Sequence, residues 1–261
     1  MEYAKSGSAI SKWRVNNLNT VISIKNLTKL YKNKRGIHNI NLDINRGEIF
    51  GFLGPNGAGK TTAMKIMTGL MRPDNGDVEI NGFSITHEYT NAMRDVGCII
   101  ESVTPFPYLT GYENMTLCAR FYGIDRERIE KCLEMTGILQ YKNEKVRNYS
   151  LGMKQRIGIS MAILQAPSIV ILDEPLNGLD IEGMVEMRNL ILRLAKENGS
   201  TFFISSHLIH DIELTCDKIG ILHEGRLLRT ETMDHILRNF SSLENFYLSE
   251  VDVSVNSANA G

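Results

Sequence analysis

Cysteine is sparse. Cys98, Cys118, Cys132 and Cys216 are the only four, spread far apart along 261 residues with no CxxC pair among them. That spacing excludes a zinc ribbon and a disulfide scaffold, and the expectation is reduced, buried thiols in a cytosolic protein. Long apolar runs are missing as well. None approaches the ~18 residues that a bilayer-spanning helix needs, so no segment is expected to cross a membrane. The opening Met1-Glu2-Tyr3-Ala4-Lys5 lacks the apolar core of a secretion signal, and secretion is not expected. Neither sign of charge is in surplus: the formal net charge is -1, which gives no reason to expect a nucleic-acid partner. No internal repeat is found. The remaining composition, 43% hydrophobic and 23% charged, is that of an ordinary globular chain. A chain this long buries roughly 70–75% of its unfolded surface and needs no metal or crosslink to fold.

Residues 1–19 are polar and aperiodic and read as a loose leader. Ile40, Leu42 and Ile44 alternate with Asn39, Asn41 and Asp43, the period of a half-buried strand. Residues 48–53 are apolar nearly throughout, as in a strand buried on both faces. A helix is expected over residues 61–71, and Asn81-Gly82 is a hairpin signal. Residues 102–165 read as a helical insertion. Thr110 and Glu113 form a capping box there, Asp125 caps a second helix and Ser150 a third. Short apolar runs at 169–172, 201–204 and 219–222 then alternate with helices, one of them carrying Met184, Met187, Ile191 and Leu194 and stopping at Gly199. Such alternation predicts a parallel sheet covered on both faces. The tail beyond about Phe246 drifts into Ser, Asn, Ala and Gly and is expected to be loose.

Gly54-Pro55-Asn56-Gly57-Ala58-Gly59-Lys60-Thr61 fits GxxxxGK[ST] at every fixed position and lies between a buried strand and a helix. Its glycines let successive backbone N–H groups curl around phosphates, and the helix N-terminus adds partial positive charge. In this motif the lysine, Lys60, reaches the β- and γ-phosphates and the hydroxyl of Thr61 ligates Mg²⁺. Guanine-binding proteins carry a later Asn-Lys-x-Asp. Here Asn33-Lys34 precedes the glycine loop and lacks the Asp, which favours ATP. The apolar run at 169–172 ends in Asp173 and Glu174, suited to holding Mg²⁺ and to orienting or deprotonating the attacking water. His207 follows the run at 201–204, where an imidazole can sense the γ-phosphate.

In this order, the motifs resemble the nucleotide-binding domain of ABC transporters over residues 21–235. The resemblance implies an α/β P-loop NTPase core with a mostly parallel sheet, an N-terminal antiparallel β subdomain and an inserted α-helical subdomain. The domain would occupy residues 20–235, after the leader and before a C-terminal extension at 236–261. By the same resemblance Tyr31 stacks on adenine, and residues 54–62, including Asn56, Gly57, Gly59 and Thr62, are Walker A. Residues 169–174 are Walker B, with Glu174 as catalytic carboxylate. Leu179-Asp180 resembles the D-loop, His207 the switch histidine, and Ser150 and Gly152 belong to a signature segment. Two such domains meet head to tail, each ATP lying between Walker A of one and the signature of the other, in a homodimer or heterodimer. Transmembrane permease subunits would hold the chain at the inner, cytoplasmic face of the cell membrane.

Three departures stand out. The signature carries Leu151 in place of Gly and Met153 in place of Gln. Glu101 occupies the place of the Q-loop glutamine, where a carboxylate accepts hydrogen bonds but cannot donate as an amide does. The D-loop begins Asn177-Gly178 rather than Ser-Ala. Together with Tyr149-Ser150-Leu151-Gly152-Met153-Lys154-Gln155-Arg156, these features are similar to bacitracin-resistance and lantibiotic-immunity exporters, which implies export of antimicrobial peptides. The alternative is a soluble, non-transport ABC ATPase. A short apolar-aromatic stretch, Phe106 to Leu109, is the expected docking surface for a permease, within residues 101–123.

Overall fold

The alternation at residues 39–44 forms strand β2 (Gly36–Asn45), with Ile40, Leu42 and Ile44 buried and Asn39, Asn41 and Asp43 exposed. β1 (Thr20–Leu30) lies between β2 and β4 (Asn75–Ile80), antiparallel to both. β4 turns into β5 (Phe83–Ser84) through Asn81 and Gly82. Both turn residues have positive φ, 50° and 78°, as a two-residue type I′ hairpin demands. The result is a four-stranded antiparallel sheet in the order β2-β1-β4-β5. The computed structural model describes residues 19–33 and 35–259, so all but the last residue of the expected leader lies outside the described residues.

A second sheet carries β3 (Ile49–Leu53), β6 (Val96–Ile99), β7 (Ile169–Asp173), β8 (Thr201–Ser206) and β9 (Lys218–His223), all parallel. β10 (Arg226–Thr232) closes one edge antiparallel to β9, giving the order β10-β9-β3-β8-β7-β6. Its central strands are apolar throughout because both faces are covered. Phe50, Phe52, Ile169, Ile171 and Phe203 pack with the antiparallel sheet and with helix α1 (Lys60–Met67). The alternate residues Ile49, Leu53, Val170, Leu172, Phe202 and Ile204 pack on the opposite face against a layer of helices. The expected fold class is therefore observed, antiparallel subdomain included.

After the short α2 (Tyr89–Met93), the helical insertion holds α3 (Gly111–Tyr122), α4 (Arg126–Met135) and α5 (Leu151–Ala162). Thr110 and Glu113 form the full capping box, and Asp125 and Ser150 each accept from a first-turn N–H. α6 (Ile181–Asn198) stops at left-handed Gly199, and α7 (Ile209–Thr215), α8 (Met233–Asn239) and α9 (Leu243–Asn259) complete the layer.

Three local expectations differ from what is found. α1 ends at Met67 rather than 71, because Gly69 turns left-handed and its N–H returns to Ile66 O. The tail beyond Phe246 is helical, anchored by buried Leu243 and Phe246, with the Ser249 hydroxyl bonded back to Phe246 O. Of the four free thiols only Cys132 and Cys216 are buried, and burial pushes both of their pKa values up; Cys98 is exposed and Cys118 half-buried.

Candidate functional site

The parallel register decides what meets at the end of the sheet. β8 lies between β3 and β7, pairing Ser206 with Leu53 and Ser205 with Asp173. The glycine loop that follows β3 and the two carboxylates that end β7 therefore emerge side by side, at the carboxyl ends of the strands where open α/β sheets bind ligands.

Within the loop, Gly57 and Gly59 have φ of 84° and 109°. A Cβ on Gly59 would come within 2.5 Å of Ile37 Cγ2, so both conformation and space require glycine there. Gly59 is also the N-cap of α1 and supplies no side-chain cap. The first-turn N–H groups are left to an anion. Asn56 is exposed at the loop tip. Lys60 is buried and folds back over the loop, donating to Gly54 O at 2.7 Å and Pro55 O at 3.3 Å.

Asp173 is buried and accepts three hydrogen bonds. Oδ2 accepts from the Thr61 hydroxyl at 2.9 Å and from the Glu101 N–H at 3.3 Å, and Oδ1 from the Ser205 hydroxyl at 2.5 Å. Glu174 has φ of 48°, a left-handed conformation that a residue with a side chain adopts only under constraint. Its N–H is held by Ser205 O at 3.2 Å and Ser205 Oγ at 3.0 Å. Oε2 lies 2.9 Å from His207 Nδ1. Oε1 lies 3.1 Å from Lys60 Nζ yet is buried without an aligned hydrogen bond. Lys60, Thr61, Asp173, Glu174 and His207 thus form one connected cluster.

Ser205 was not singled out from the sequence, although it joins both carboxylates. The available signal was a polar pair, Ser205-Ser206, closing an otherwise apolar run. Tyr31 is half exposed beside α1, its hydroxyl 3.2 Å from Thr62 Oγ1 and 3.7 Å from Met71 Sδ. Glu101 is exposed, with φ of 64°, and accepts from Lys65 Nζ at 2.5 Å. Lys65, one turn past Thr61, belongs to no motif of the sequence.

Ser150, Gly152 and Asp180 stand apart. Among the described residues no hydrogen bond or ion pair joins them to the Lys60–Asp173 cluster; Ser150 Oγ caps α5 and Asp180 Oδ1 caps α6. The signature segment packs on its own D-loop instead. A Cβ on Gly178 would lie 3.1 Å from Leu151 Cδ2, and one on Gly152 would lie 3.8 Å from Leu179 Cδ2. Gly178 thus leaves room for the Leu151 side chain.

The ligand atoms that Thr61 and Asp173 offer are oxygens, which suits a hard cation such as Mg²⁺. The described residues hold no group of three or more His, Cys, Asp or Glu able to cage a metal. A cation here would draw its remaining ligands from phosphate and water, the habit of Mg²⁺ in nucleotide sites. No helix among the described residues is long and apolar enough to cross a membrane.

Residues 37–177 match the family described as "ABC transporter". The chain is 40% identical over 239 residues to "Bacitracin transport ATP-binding protein BcrA" of Bacillus licheniformis, a match covering 91% of this chain and 78% of that protein. It is 36% identical over 215 residues to "Lantibiotic transport ATP-binding protein SrtF" of Streptococcus pyogenes, covering 82% of this chain and 92% of that one. Among solved structures, "Dimeric structure of a post-hydrolysis state of the ATP-binding cassette MJ0796 bound to ADP and Pi" matches at a TM-score of 0.73 and 29% identity, over 81% of this chain and 98% of that chain.

Proposed function

The chain belongs to the ABC transporter family and is an ATP-hydrolysing ATP-binding subunit, and from that premise we propose that it powers a membrane exporter of antimicrobial peptides of the bacitracin or lantibiotic type. The peptide substrate is supported by the two relatives named for transport of such compounds. The ATP-binding domain occupies residues 20–235, with a leader at 1–19, the helical insertion at about 102–165 and an extension at 236–261.

The observation that carries the reading is the single cluster of Lys60, Thr61, Asp173, Glu174 and His207 beside an uncapped helix N-terminus. Asn56, Gly57, Gly59 and Thr62 line the phosphates with Lys60, whose ammonium meets the charge that builds on the transferred phosphoryl oxygens. Thr61 and Asp173 would hold Mg²⁺. When bound, that ion draws charge from the phosphate oxygens. Glu174 orients the attacking water and takes its proton, and His207 holds Glu174 in place through their contact. Tyr31 supplies a ring face for adenine, and the Glu101 carboxylate would accept hydrogen bonds from water at the site.

Ser150, Gly152 and Asp180 act on the nucleotide of a second subunit. The N-terminus of α5, which carries the Ser150 hydroxyl as its cap, suits a γ-phosphate, and a chain carrying one copy of each half-site calls for a two-fold or pseudo-two-fold pair. ATP closes the pair and hydrolysis reopens it. Permease subunits hold the assembly at the inner face of the membrane. Glu174→Gln tests this. It is expected to abolish turnover, keep ATP binding, trap a closed dimer and remove peptide resistance from producing cells. Unchanged turnover removes Glu174 from the mechanism, and unchanged resistance removes the peptide substrate.

A further inference from the structure

We infer that Lys65 is a positioning residue of the nucleotide site that acts through Glu101. The inference rests on the ATP-binding reading above and extends it to a residue outside the P-loop motif.

Lys65 and Thr61 share a face of α1, four residues apart. Lys65 Nζ donates to Glu101 Oε1 at 2.5 Å. The Glu101 N–H donates to Asp173 Oδ2 at 3.3 Å, and that same oxygen accepts from the Thr61 hydroxyl at 2.9 Å. The contacts close a ring: Thr61 and Lys65 from α1, Asp173 from the end of β7, and Glu101 from the segment that leaves β6. Glu101 sits at φ of 64°. For a residue with a Cβ that conformation is strained and persists only where the surroundings impose it. The two ends of the ring supply the constraint, the side chain gripped by Lys65 and the N–H by Asp173.

Charge gives the pair its function. Glu101, Asp173 and Glu174 bring three carboxylates to one end of the sheet. Lys60 faces Glu174, and Lys65 faces Glu101. An amide at position 101 would need no countercharge; a carboxylate beside a triphosphate site does, because it repels the incoming phosphates. Lys65 therefore makes glutamate tolerable at this position, and it fixes the loop whose N–H orients Asp173. The Lys65 side chain is 26% exposed and that of Glu101 60% exposed, so solvent screens the pair in part and its effect is that of a partly exposed ion pair.

The inference is tested by a double-mutant cycle on the full chain, reading the Kd of a fluorescent ATP analogue with Mg²⁺. Lys65→Met is expected to weaken binding about threefold to fivefold, the scale of a partly exposed charge pair. Lys65→Arg keeps the charge and is expected to bind as the wild type does. In a Glu101→Gln background, Lys65→Met is expected to change nothing further. The inference is overturned if Lys65→Met weakens binding equally in both backgrounds, or in neither. Melting temperatures of all variants separate loss of fold from loss of affinity. A wild-type chain that binds no more nucleotide than Lys60→Ala would overturn the ATP-binding reading itself, and the inference with it.

Discussion

At the end of β8 the Ser205 hydroxyl bonds both acidic residues, donating to Asp173 Oδ1 at 2.5 Å and accepting the Glu174 N–H at 3.0 Å. Glutamate at φ of 48° does not hold itself there; the bonds to Ser205 tie its backbone to β8 and aim its carboxylate at His207 and Lys60. Ser205→Ala deprives a buried carboxylate oxygen of its donor. A hydrogen bond to a charged group contributes about 1.5–3 kcal/mol, so stability is expected to fall by that amount. In a chain of this size the melting temperature then drops by roughly 3–10 °C. ATP turnover should require more Mg²⁺ for half-saturation, because Asp173 is freer to rotate away from Thr61. An unchanged Mg²⁺ titration in a destabilised variant would confine Ser205 to a packing role. Lys60, Thr61, Asp173 and Glu174 were readable because each sits in a string whose spacing is set by local geometry. Ser205 and Lys65 were not, because their roles depend on strands and segments that meet only in the folded sheet.

Secondary-structure elements were legible wherever the signal was local. The capping box at Thr110, the caps at Asp125 and Ser150 and the Asn81-Gly82 hairpin are each written within four residues, and all are found. What sequence did not disclose was long-range. β6, four residues just before Glu101 that carry no alternation of their own, is the edge strand paired to β7. The small polar residues of the C-terminal helix suggest a loose tail, yet Phe246 stacks edge-on against Phe240 at 5.0 Å and docks the segment into the core. The stretch before α3 is a case where burial and exposure work together. Asn114, 1% exposed, accepts from Phe106 N–H at 2.7 Å and donates to Phe106 O at 3.1 Å and Thr110 O at 2.9 Å. That clasp leaves the Phe106 and Tyr108 rings in solvent, 62% and 73% exposed. Asn114→Ala strands the backbone groups of Phe106 and is expected to cost about 2–3 kcal/mol. Hydrogen exchange should accelerate at residues 106–109 while ATP affinity holds. Exchange that stays slow there would mean that other contacts fix the loop.

Over the whole molecule, one sheet serves two cores and one site. Residues of β3, β7 and β8 alternate between the two apolar layers, so the strand ends are held from both sides and the P-loop and carboxylates keep their spacing. The segment leaving the site at Glu101 runs straight into the clasped loop at 102–109, beside a groove of about 670 Å³ lined in part by Tyr89, Cys98, Val103 and Tyr122. Phe121, at the end of α3, is 86% exposed. Uncovered aromatic surface is the kind that serves interaction sites, and on the proposed function it is where a permease would dock, next to Glu101. Joint replacement of Tyr108 and Leu109 by Ala is expected to remove most of the permease that co-purifies with the chain, and with it peptide resistance in cells. Affinity for ATP should stay at the wild-type value, because among the described residues no hydrogen bond or ion pair joins either residue to the Lys60–Asp173 cluster. Full recovery of permease with the double variant would move the docking surface elsewhere; loss of ATP affinity alongside it would mean that the loop supports the nucleotide site rather than a partner.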